Sequence, residues 1–134
     1  MKKYIVFVVM LGLMLALIAC SGGSQAVTEL NVSLAEFTFT PTTFTIPAGQ
    51  EITLNLTNKG AVIHEFVIMK AGKEVSIPFN DDDEPNIYWE LEVKPGESAT
   101  AKFTAPEAGE YQVVCGTEGH TEAGMIGKLT VVQP

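Results

Sequence analysis

Four side chains in this sequence can do chemistry together. Cys115, His120 and Met125 fall within the eleven residues Cys115-Gly-Thr-Glu-Gly-His120-Thr-Glu-Ala-Gly-Met125, and the only other histidine, His64, stands 51 residues before the cysteine. A thiolate, two imidazoles and a thioether serve copper in both oxidation states. Thiolate and thioether favour Cu(I), imidazole accepts either state, and a trigonal plane of one Cys and two His with a long axial Met suits single-electron transfer. A structural zinc site would more often be completed by a third Cys or His than by Met. Taken alone, His64 reads as a structural histidine and Met125 as core. With only two histidines in the chain, their joint placement points to one redox-active ion. Met69, inside Phe66-Val67-Ile68-Met69-Lys70, reads as packing.

Such a centre needs a scaffold that brings residue 64 to residues 115–125. Leu30, Val32 and Leu34 alternate with polar neighbours, as do Ile52, Leu54 and Leu56, with the two-residue period of half-buried strands. Between them lie Phe39, Phe44 and Ile46, punctuated by Pro41, Pro47 and Ala48-Gly49. Further strands are expected over 64–70, 98–104, 109–115 and 128–132. Six or seven short strands without a long helix indicate an antiparallel β-sandwich. There, the loop leaving one strand and the start of its neighbour meet at one end. Residues 71–97 fit least well. Their acidic run Asp81-Asp82-Asp83-Glu84 lacks the Gly and distal Glu of a calcium loop and reads as a solvated loop, with Trp89 packing at its base.

The 134 residues allow one domain of ordinary size. Eight Lys, no Arg and sixteen acids give a net charge of −8, which excludes the clustered cations that nucleic acid demands. Lys2 and Lys3 precede an apolar run from Tyr4 to Ala19, the pattern of an export signal over 1–19 and too short for the roughly 20 residues of a spanning helix. Leu17-Ile18-Ala19-Cys20 resembles the lipobox of bacterial lipoproteins, which implies acylation of Cys20. Residues 20–27 are then the lipidated Cys and tether, and 28–134 the folded domain. Lipid on Cys20 leaves Cys115 without a disulfide partner in an oxidising compartment. Burial or a metal would protect it.

The spacing Cys-x4-His-x4-Met, followed by Ile126-Gly127-Lys128 and an apolar strand, resembles the cupredoxins, the blue-copper proteins, and within them the rusticyanin and sulfocyanin branch. The likeness covers roughly 28–134 and implies an all-β, Greek-key β-sandwich or barrel. It implies one copper ion held by His64, Cys115 and His120, with Met125 axial. Electrons would pass through the exposed edge of His120, with Gly119 and Gly124 allowing close approach. Glu65 stands where most members have Asn, and Thr117-Glu118-Gly119 replaces a frequent Pro. The outer contacts that tune the metal therefore differ.

The expectation is a lipid-anchored, monomeric type 1 copper protein of the cell envelope, facing the periplasm or exterior. It would carry single electrons between donor and acceptor redox proteins of the cytochrome, respiratory or photosynthetic kind. The acidic run would orient a basic partner. The alternative is a carrier or storage protein that holds copper without redox cycling. A Cys–His nucleophile has no evident orienting acid or oxyanion donor, so no enzyme is expected. A multicopper oxidase needs many more His, and a binuclear copper domain needs a second Cys on the loop.

Overall fold

The computed structural model describes residues 25–134, in which nine strands form two sheets. The expected leader, Cys20 and most of the tether lie outside the described residues. The strands are β1 (Glu29–Ala35), β2 (Thr38–Thr40), β3 (Thr43–Pro47), β4 (Glu51–Asn58), β5 (His64–Met69), β6 (Ile87–Val93), β7 (Ser98–Thr104), β8 (Gly109–Val114) and β9 (Ile126–Val132). One sheet runs β2-β1-β4-β7 and the other β3-β9-β8-β5-β6.

Alternation decides what faces inward. Leu30, Val32 and Leu34 of β1 and Ile52, Leu54 and Leu56 of β4 are buried, and they meet Phe66 and Ile68 of β5, Val113 of β8 and Leu129 of β9 in the core. Phe66 sits edge-on to both Phe39 and Phe44, a geometry that favours aromatic pairs beyond their buried area. A second apolar layer lies on the other face of β5 and β8, where Val67, Met69 and Val114 pack with Val75, Phe79 and Ile87. Met69 is thus a packing residue.

Three features differ from the sequence reading. The sheets are mixed, because β1 pairs with β4 and β3 with β9 in parallel. The segment 71–97 contains the full strand β6, antiparallel to β5, and Trp89 lies on that strand, stacked on Phe103 at 4.9 Å. The acidic run is not wholly solvated: Asp83 is buried, and its carboxylate accepts from the N–H groups of Ser76 and Asn80. It ties the loop together instead of serving solvent.

Candidate metal centre

β5 and β8 are antiparallel neighbours, with Val67 opposite Val114 and Ile68 opposite Val113. The start of β5 therefore lies beside the end of β8. His64 opens β5, and Cys115 follows the last residue of β8. Cys115 Sγ lies 3.8 Å from His64 Nδ1 and 3.4 Å from His120 Nδ1, and the ligand atoms of the three residues all fall within 4.8 Å of one another. All three side chains are buried. The two imidazoles are tilted by 46°, with centroids 4.8 Å apart. Both turn Nδ1 to the sulfur, so Nε2 of each points away from it.

The connection from β8 to β9 supplies the rest. Met125 is fully buried, and its main chain is bonded to both sides of the loop: its N–H donates to His120 O at 2.8 Å, and its carbonyl accepts from Cys115 N–H at 3.3 Å. Gly119 and Gly124 have φ of +83° and +89°, which L side chains rarely adopt. Each glycine turns the chain immediately before a donor residue. Thr117 Oγ1 donates to Ile63 O at 2.9 Å, tying the loop to the residue before His64. Asn58, buried at the end of β4, donates to Val62 O and Val93 O and accepts from Gly60 N–H, each at 2.8 Å. It fixes the approach to His64.

Residues 7–131 match the cupredoxin-like domain family. The chain belongs to that family. It is 29% identical to auracyanin-B of Chloroflexus aurantiacus over 133 residues, which cover 82% of this chain and 57% of that protein. Thus it spans little more than half of that relative's length. The structure of dithionite-reduced auracyanin from Roseiflexus castenholzii is similar, with a TM-score of 0.70, 31% identity, and 81% of this chain and 99% of that one covered. Reduced rusticyanin is similar at a TM-score of 0.58 and 25% identity, over 81% and 82% of the two chains.

The cofactor of this cupredoxin is one copper ion, and the buried donors fit it. Burial, and secondarily the neighbouring His120, hold the His64 imidazole below the usual histidine range, against a smaller opposing pull from Glu36. The neutral ring is the form that binds a metal. His64 Nε2 is a buried nitrogen without a hydrogen-bond partner. Cys115 Sγ accepts a hydrogen bond from Glu65 N–H at 3.4 Å, which ties the sulfur to the start of β5.

The side chain of Glu65 leaves this face of the strand. Its carboxylate lies against Gly116, where a Cβ would collide with it. Burial first, then the carboxylates of Glu90, Glu92 and Glu84, push Glu65 above the usual carboxylate range. His120 is less open than expected. It is only 5% exposed, because the ring of Phe37 stands edge-on to it at 5.4 Å. Phe37 is itself 51% exposed and holds φ at +65°, an outlier for a bulky residue. Sequence reading missed Phe37 and Asn58, since neither carries a thiol, imidazole or thioether and no motif marks it.

Proposed function

We propose that this cupredoxin is a single-electron carrier of the cell envelope, exported and anchored through lipid on Cys20. His64, Cys115 and His120 serve as the equatorial copper ligands and Met125 as the axial one. The observation that carries the reading is the convergence of one thiol sulfur and two Nδ1 atoms in a buried pocket. Copper supplies the one-electron couple, and the protein's work is to keep the donors in place. Sheet register fixes His64 and Cys115, and the loop hydrogen bonds fix His120 and Met125. A donor set held this way need not move when one charge is exchanged.

Phe37, Val62 and Ile63 are exposed apolar residues adjacent in space or sequence to the two histidines. They support the approach of a donor or acceptor protein at this end. Storage of copper is disfavoured by the same burial, since release needs an accessible ion.

Redox cycling separates the two roles. The copper-loaded protein is expected to bleach with ascorbate, recover its colour with ferricyanide over repeated cycles, and retain copper against a chelator in both states. A colourless protein that gives up Cu(I) to the chelator would be a storage or delivery protein.

A further inference from the structure

The turn between β1 and β2 consists of Glu36 and Phe37, and it lies beside both histidines. Phe37 stands on His120; Glu36 stands by His64. The Glu36 carboxylate is anchored by accepting from Ala61 N–H. A Cβ on Gly60 would lie 2.7 Å from Glu36 Oε1 and 2.5 Å from His64 Nε2. The oxygen and the nitrogen therefore crowd a single point, and only glycine at residue 60 leaves it open. That nitrogen is the buried one without a partner.

Resting on the copper reading above, we propose that Glu36 is a positioning residue for His64: its carboxylate accepts the Nε2–H of the imidazole whose Nδ1 faces the metal. A small rotation of the carboxyl group, or one bridging water, closes the gap. A metal-ligating histidine characteristically gives its outer N–H to a carboxylate, carbonyl or water, which fixes the tautomer and ring orientation and makes the inner nitrogen a stronger donor. The carboxylate also places negative charge at the edge of the centre, which favours Cu(II) over Cu(I). Phe37 beside it braces the other imidazole, so one strained turn holds both rings from outside.

The test compares Glu36→Gln, Glu36→Ala and Gly60→Ala with the wild type, reading copper affinity by chelator competition, the reduction potential and the unfolding temperature of the copper-free protein. Glu36 is exposed, so its variants are expected to fold without copper, with the unfolding temperature lowered only slightly by loss of the Ala61 hydrogen bond. Glu36→Ala is expected to lose affinity for Cu(II) about tenfold or more and to raise the potential. Glu36→Gln, which keeps an acceptor and loses the charge, is expected to recover most of the affinity while its potential stays raised. Gly60→Ala puts a methyl between the partners and is expected to reproduce Glu36→Ala. Affinity and potential unchanged in both Glu36 variants, with the wild type showing thiolate-to-copper absorption, would overturn the proposal alone. A wild type without that absorption would overturn the reading beneath it.

Discussion

Glu65 shows how one side chain can serve the site with its backbone and burden the fold with its carboxylate. Its N–H donates to the cysteine sulfur, which any residue but proline could do. Its carboxylate is half-buried on the strand directly opposite Glu92, and like charges opposed across strands are destabilising. Because the folded state holds Glu65 above the ordinary carboxylate range, folding favours its protonated form. That contribution is present at acid pH and is lost as pH rises through the elevated folded value. Glu65→Gln in the copper-free protein is thus expected to gain up to about 1 kcal/mol at neutral pH. The gain should shrink as pH falls into the carboxylate range; denaturant unfolding at the two pH values measures it, and an equal or less stable variant at neutral pH contradicts the assignment. At this scale the sequence pointed to the candidate donors because Cys and His are scarce, and the structure brings His64, Cys115 and His120 together. Glu36, Phe37 and Asn58 were not legible, because common residue types acquire such roles only through distances the fold creates.

At the scale of elements, β1 and β4 were readable from alternation, and β5 and β8 lie within the stretches 64–70 and 109–115 expected as strands. Strand β6 was also written in the chain: Ile87, Trp89, Leu91 and Val93 alternate with Tyr88, Glu90 and Glu92. The preceding Asp run and Pro85 obscured that period. The parallel pairings β1 with β4 and β3 with β9 were not legible, since they join segments far apart and depend on how the two sheets close. In the ligand loop, glycine positions act through backbone conformation and not through space. Nothing lies within 4 Å of a Cβ built on Gly124, yet its φ is +89°. Gly124→Ala is therefore expected to cost about 1 to 2 kcal/mol from conformational strain alone and to weaken copper retention by disturbing Met125. Chemical denaturation and chelator competition measure the two effects; an alanine variant as stable as the wild type would show that the loop adopts another path.

For the whole molecule, a two-sheet sandwich with an apolar core between the sheets and a second apolar layer outside β5 and β8 holds the ends of β5 and β8 that carry His64 and Cys115 in register, and the β8–β9 loop closes over them. The chain belongs to the cupredoxin-like family over residues 7–131, and the convergence of His64, Cys115 and His120 is the geometry proposed to hold its copper. What most directly tests that centre is an absorption titration of the copper-free protein with Cu(II), read alongside Cys115→Ser. One equivalent of copper is predicted to develop intense visible thiolate-to-Cu(II) absorption that saturates at a single ion and is absent from the serine variant. Weak absorption only, or an identical spectrum from Cys115→Ser, would contradict a thiolate-bound copper at this pole of the sandwich.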